Sequence, residues 1–272
     1  MYSLVAVSAE LAEQLVAIEN AGDDAVHQAR TRVRRLRSIL SAYRAAFDPE
    51  AQTLLRDRLE DLGARLGTVR DLEVRALAME NLLGAETAPE VVDAVEAMAA
   101  DLRRSYESER QALLRHLGTK GHRRLVADVQ AFAASPPLSA DGGRHPRRIA
   151  RRGLRKARRR VLGGSVATLA ERHETRKAAR RLRYAAEAVT DDFGREAVRL
   201  ASAGEALQDL LGDNRDLILL AVYLRERLEG GGLGPSAIAG IGRLAAETDR
   251  RADDLLTAVE ERMEAVADAR LG

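Results

Sequence analysis

Two arginine-rich stretches, His27–Arg37 (HQARTRVRRLR) and His173–Arg183 (HETRKAARRLR), carry the same residue types in the same order. Aligned on their histidines, His27, Arg30, Arg34, Arg35, Leu36 and Arg37 match His173, Arg176, Arg180, Arg181, Leu182 and Arg183. A guanidinium donates two parallel hydrogen bonds to a phosphate or carboxylate and keeps its charge at any ordinary pH. The chemistry open to such residues is multidentate capture of an anion. Residues three, four, seven and ten apart lie along one side of a helix. His27, Arg30, Arg34 and Arg37 therefore form one stripe, and His173, Arg176, Arg180 and Arg183 another. Successive turns are ~5.4 Å apart, which suits an extended anion with repeating charges. Arg35 and Arg181 sit a step further round. A solvated charged face is the ordinary explanation of one such helix; two with matching histidines point towards a ligand.

Arginine itself is weak testimony here, because 41 of the 44 basic residues are Arg. Lys177, one of three lysines, says more by lying inside the second stretch. The histidines leave three readings open: phosphate ligand, orienter of an arginine, or packing. Neighbouring arginines favour neutral imidazole, whereas a bound polyanion favours imidazolium. Metal ligation is disfavoured by the absence of an HxxxH or HExxH pair and by the surrounding positive charge. No metal or other cofactor is expected.

A second pair of motifs follows the first. Leu66-Gly67-Thr68-Val69-Arg70-Asp71-Leu72 matches Leu211-Gly212-Asp213-Asn214-Arg215-Asp216-Leu217. The glycines suit turns, and Thr68 with Asp71, or Asp213 with Asp216, has capping-box spacing. That reading starts a helix at each motif and puts Arg70 and Arg215 in its first turn, where free N–H groups favour anions. A purely structural role for the two arginines stays equally open. The densest basic run is RHPRRIARRGLRKARRRVL, in which Arg144, Arg148, Arg151, Arg152, Arg155 and Arg159 can line one broad side of a helix, with Arg148, Arg152 and Arg155 as candidate ligands. It can extend an anion track or bind nucleic acid.

The elements that must position these groups are helices. Ala, Leu, Arg and Glu dominate, aromatics are 3%, and no segment alternates with period two. The line Val26, Ala29, Val33, Leu36, Leu40, Tyr43, Phe47 predicts one amphipathic helix, begun near Gly22-Asp23-Asp24 and ended by Asp48-Pro49. Thr175, Ala179, Leu182, Ala186 and Val189 predict another, so each basic stripe borders a buried seam. Further helices are expected at about 8–20, 50–66, onward to 83, 89–116, 122–134, 195–211, onward to 228, and 236–269. SPPLSADGG at 135–143 reads as a linker. Both motif pairs repeat at nearly one offset, which suggests duplication into halves 1–140 and 141–272.

With no Cys, disulfides and thiolate chemistry are excluded. No apolar run approaches the ~18 residues of a membrane span, and the N-terminus has no signal-peptide pattern, so a cytoplasmic protein is expected. The net charge of +2 conceals asymmetry. From Arg144 to Arg183, sixteen Lys or Arg face only Glu171 and Glu174, and from His27 to Arg44 six Arg face no acid. Such crowding calls for an anionic partner.

In combination, the paired His-x-x-Arg…Arg-Arg-Leu-Arg helices and the LGxxRD motifs resemble the CHAD family, the conserved-histidine α-helical domains. HETRKAARRLRY, with Lys177 and Tyr184, is especially similar. The resemblance implies an all-α fold of two pseudo-symmetric helical-bundle halves around a basic groove or pore. It also implies binding of inorganic polyphosphate and association with polyphosphate granules. Carried over residue by residue, it makes His27, Arg30, Arg34, Arg37, His173, Arg176, Lys177, Arg180 and Arg183 ligands. No ExExK signature of the often accompanying CYTH triphosphatase occurs, nor a GxxxxGK[ST] loop or dense carboxylate site. The expectation is a non-enzymatic binder. The alternatives are a nucleic-acid-binding protein, against which scarce aromatics argue for single strands, and a phosphate-transferring or metal-dependent enzyme using the histidines.

Overall fold

The computed structural model describes residues 3–20, 22, 24–84 and 87–269, and every regular element among them is helical. Backbone contacts divide the chain into two compact units. The first comprises residues 1–67, 113–208 and 260–272, the second 68–112 and 209–259. The stretch 135–143 lies inside the first unit.

The first unit is built on α1 (Leu4–Glu19) and α2 (Ala25–Ala42), which pack together along Leu4, Val7, Leu11, Leu15 and Ile18 of α1. Leu36, Ile39 and Leu40 of α2 are almost wholly buried. Burying apolar surface at this period is what holds an amphipathic helix against its neighbour. α2 stops at Ala42, short of the predicted end, and a 3-10 turn (Arg44–Ala46) follows. Phe47 then pairs with Leu138, the Asp48 amide donates to Pro137 O, and both the amide and hydroxyl of Ser139 donate to the turn. The stretch expected to be a linker is thus tied down, and it includes a short helix, α6 (Ala140–Arg144). Asp48 also caps α3 (Pro49–Glu80) through a bond from the Ala51 amide.

Two predicted breaks are absent. α3 runs straight through Gly67, and α9 (Thr190–Glu229) runs through Gly212, its one kink falling at Gly194 with φ 52°. Mid-helix glycine costs only ~1 kcal/mol relative to alanine. Buried Leu66 and Val69 in α3, and Leu207 and Leu211 in α9, outweigh it. The capping-box reading of Thr68–Asp71 and Asp213–Asp216 falls with the breaks. Arg70 and Arg215 accordingly lie in helix interiors, away from any free first-turn amides. Conversely, the predicted last helix is two, α10 (Pro235–Leu256) and α11 (Val259–Asp268). In the expected start of α2, Asp24 has φ 54° and makes no side-chain cap; Asp23 lies outside the described residues, as do Ala85 and Glu86 of the turn before Pro89.

The rest of the first unit comes from the end of α4 (Pro89–Leu117), α5 (Lys120–Ala134), α7 (Pro146–Leu162), α8 (Leu169–Glu187), the start of α9 and nearly all of α11. α8 opens with a capping box, Thr168 with Glu171. At the α4–α5 corner, the rings of His116 and His122 meet edge-on at 5.7 Å, and buried His122 Nδ1 has no hydrogen-bond partner. Burial first, then His116 and Arg123, lowers the His122 pKa; burial and Arg65 lower that of His116. Both therefore favour the neutral form when folded, and the unfolded chain binds more protons near its own pKa of ~6.5. Stability contributed by the pair is present above that pH and is lost as pH falls through the lower folded values. The unfolding midpoint is expected to drop between pH ~7.5 and ~5.5 and to drop less in His122→Leu. An equal drop in both proteins would overturn this.

The second unit has its own core, in which Met79, Met98, Leu224 and Ile241 are fully or nearly buried. α10 packs so tightly on α4 that a Cβ at Gly240 would overlap Val91.

Candidate functional site

The two basic helices are brought together within the first unit. α2 and α8 pack on each other, and α7 packs on α8 and touches α2. The side of α8 that is buried is mostly alanine, with Ala178, Ala179, Ala185 and Ala186 nearly solvent-free, so neighbouring backbones approach closely. Tyr43, just after α2, donates its hydroxyl to Ala185 O at 2.6 Å. Gly204 of α9 meets α8 so closely that a Cβ there would lie 3.0 Å from the Arg183 amide nitrogen. On α3, Gly63 faces Val33 of α2, and Gly67 faces the Arg30 guanidinium, whose Nη1 donates to Gly67 O at 3.1 Å. Gly67 therefore lies inside α3 beside Arg30, not at a turn.

Four predicted residues gather as one charge cluster: Arg30 and Arg34 from α2, Arg176 and Arg180 from α8. Arg34 is lowered to about 9, first by burial and then by Arg30, Arg180 and Arg176, with Tyr184 opposing. Arg180 is lowered to about 10 by burial, then by Arg176, with Arg181 and Arg30 adding and Tyr184 again opposing. Both values remain above neutral pH, so the charges persist at a cost that a bound anion would remove. Neither Arg34 nor Arg180 has a carboxylate partner among the described residues.

Three of the four other predicted arginines of these helices are braced by acids. Arg35 Nε lies 3.4 Å from Glu187, and Arg37 Nη2 lies 2.8 Å from Glu60 of α3. Arg183 pairs with Glu187 at 2.9 Å and Glu205 at 2.7 Å, and its guanidinium lies 5.3 Å from the Tyr184 ring centroid. Burial opposes its charge, yet the Glu187 hydrogen bond and the nearby acids raise its pKa. Lys177 pairs with Glu174 at 2.8 Å. Arg181 is lowered by burial and then by Arg160 of α7, with Arg37 and Arg56 adding to the effect and Glu174 opposing it. Residues of one stripe thus fare differently: Arg34 is crowded by cations, whereas Arg37 is neutralised.

His27 is half-buried at the start of α2, and His173 is exposed on α8. Arg148, Arg152 and Arg155 are exposed on α7. Arg70 and Arg215 belong to the second unit, where Arg70 pairs with Glu73 at 2.8 Å, and Arg215 with Asp216 at 3.1 Å and Asp71 at 3.8 Å. Among the described residues, no three His, Asp or Glu side chains form a metal-ligand set. Sequence reasoning missed Arg56 and Arg160, whose charges act on Arg181, and the bracing acids Glu60, Glu187 and Glu205. Gly63, which meets Val33 at close range, was the available signal for the approach of α3 to α2.

These observations define an all-α protein whose two arginine-rich helices share one charge cluster. The CHAD-domain family model matches residues 6–225, and the chain belongs to that family. Its fold is similar to that of PptA from Streptomyces chartreusis, with a TM-score of 0.74, 20% identity and 96% of each chain covered. It is also similar to the crystal structure of the CHAD domain from the plant Ricinus communis, with a TM-score of 0.72 and 24% identity over 96% of this chain and 89% of that one. Two uncharacterized proteins of Mycobacterium tuberculosis, from strains CDC 1551 / Oshkosh and ATCC 25618 / H37Rv, are each 30% identical over 218 residues, 74% of this chain. The matched region spans 40% of the length of these relatives. No described helix is long and apolar enough to cross a membrane.

Proposed function

We propose that this chain is a non-enzymatic binding module for inorganic polyphosphate that associates with polyphosphate granules. The observation that carries the reading is the cluster of Arg30, Arg34, Arg176 and Arg180, in which like charges are held together and Arg34 and Arg180 have no carboxylate partner among the described residues. A chain of phosphates would relieve that repulsion by accepting paired guanidinium hydrogen bonds. Membership of the CHAD family, whose domains occur in polyphosphate-binding proteins, favours polyphosphate among polyanions. In this reading the two motif pairs descend from a duplication, and α2 and α8 form the walls of a basic groove. His27 and His173 stand one turn before Arg30 and Arg176 and extend each wall.

A thermal-shift titration with long-chain polyphosphate, RNA and ATP at two salt concentrations tests it. A ligand of the native state at 100 times its Kd adds ~2.7 kcal/mol, or roughly 5–10 °C for a domain of this size. Polyphosphate is expected to give the largest rise, falling steeply with salt as counterion release requires. RNA or ATP matching polyphosphate would overturn the choice of ligand. Release of phosphate by the purified protein, lost in His27→Ala, would overturn the non-enzymatic assignment.

A further inference from the structure

Elsewhere in the molecule cations are commonly set against acids. Arg32 lies 2.6 Å from Glu10, Arg103 lies 2.8 Å from Glu80, and Arg227 lies 2.9 Å from Asp101. α7 is different. It contains no acidic residue, and its apolar side, Ile149, Ala150, Leu154 and Val161, is already buried. What remains outward is cationic: Arg148, Arg152, Arg155, Lys156, Arg159 and Arg160 are all exposed. The one acid set against these six among the described residues is Asp141, 4.0 Å from Arg148. Arg147 and Arg151 are engaged with the Phe193 ring, and Arg158 with backbone carbonyls at the end of α11. Because the apolar side is spent on packing, a membrane-inserting amphipathic role is closed to this helix.

The bare face joins the cluster already described. The α7–α8 connection is pinned where Thr175 Oγ1 donates to Ser165 O at 2.7 Å, so the two helices run back along each other. Going back along α7 from that pin while going forward along α8 brings Arg160 alongside Arg181. Arg181 in turn neighbours Arg180, a member of the cluster, in sequence.

We propose that the exposed face of α7, entered through Arg160 and Arg181, is a second binding segment for the same phosphate polymer. A long chain is held at the α2/α8 cluster and along α7, whereas a short one occupies the cluster alone. Two linked segments raise the effective concentration of the second contact, so the gain appears only for chains long enough to reach. The inference rests on the polyphosphate reading above.

The test compares wild type with Arg152→Gln/Arg155→Gln/Arg160→Gln, three exposed changes that leave the packing untouched. Affinities are measured for inorganic tripolyphosphate, long-chain polyphosphate and RNA across a salt series. Tripolyphosphate is expected to bind both proteins within about twofold. Long-chain affinity should fall at least about tenfold, with the log–log salt slope shallower by roughly 2, near 0.7 per lost phosphate contact. Equal losses for short and long chains, or none for either, would overturn the second segment. Loss of RNA binding with long-chain polyphosphate unaffected would also overturn it, assigning the face to nucleic acid. If wild type binds neither phosphate ligand, the failure lies with the parent reading.

Discussion

Arg34→Glu/Arg180→Glu is expected to abolish binding of long-chain polyphosphate while leaving the fold intact. Each guanidinium that hydrogen-bonds a charged phosphate contributes about 1.5–3 kcal/mol. Removing two therefore weakens binding by roughly 3–6 kcal/mol, or about 10²- to 10⁴-fold. Placing carboxylates where phosphates would lie adds repulsion beyond that loss. The same change should raise the unfolding midpoint of the ligand-free protein. Arg34 and Arg180 are each held below their ordinary pKa by burial and by the other cluster arginines. Two glutamates would turn repulsion from Arg30 and Arg176 into attraction. Titration calorimetry read beside a thermal melt separates the two effects, because affinity falls as stability rises. Unchanged affinity would sink the site assignment. A midpoint well below wild type would show that the two arginines hold the helices together.

That expectation began in a motif match, and much of the site was readable from it. Helical phase alone put Arg30 and Arg34, and likewise Arg176 and Arg180, on one side of their helices, and the structure brings the four into one cluster. Phase could not separate Arg34 from Arg37. Their fates differ because α3 supplies Glu60 beside Arg37 and nothing comparable beside Arg34, which is a tertiary fact. The same holds for Glu187, which lies between Arg35 and Arg183 and is visible as a brace only once α2 and α8 are side by side.

The fold shows a similar division. All-α character followed from composition and period, since helix propensity and apolar spacing are local properties. The breaks placed at Gly67 and Gly212 did not occur, because a glycine's local preference is smaller than the burial on either side of it. Nor do the compact units follow chain order: α3 and α9 each contribute to both. The glycines that punctuate a sequence thus have two meanings. Gly194 has φ 52° and marks a bend. Gly63 and Gly204 have helical neighbours pressed against them, and only the partner helix reveals why no side chain is there.

A case of the second kind that bears on the site is Gly153, and Gly153→Ala is expected to destabilise the protein substantially. Gly153 is buried on α7 where it crosses the end of α2. An added Cβ would lie 2.8 Å from Ala42 O and 2.8 Å from two ring carbons of Tyr43. Neither can move cheaply. The first is backbone, and the second is a fully buried ring whose hydroxyl is bonded to Ala185 O of α8. Overpacking of this kind costs about 3 kcal/mol, against which the helix preference for alanine returns ~1 kcal/mol. The net loss of roughly 2 kcal/mol corresponds to a fall of about 4–8 °C in the melting midpoint of a unit this size. Gly242→Ala on α10 is the matched comparison, because its Cβ meets nothing within 4 Å. There only the propensity term acts, and the midpoint should hold or rise by ~0.5–1 kcal/mol equivalent. Forcing α7 away from Tyr43 also loosens the bond between Tyr43 and α8, and with it the spacing of Arg34 from Arg180. Polyphosphate affinity should therefore weaken in Gly153→Ala and remain at the wild-type level in Gly242→Ala. A Gly153→Ala protein that melts at or above the wild-type temperature would show that the α2–α7–α8 junction yields, and that the arginine cluster is not held in place by it.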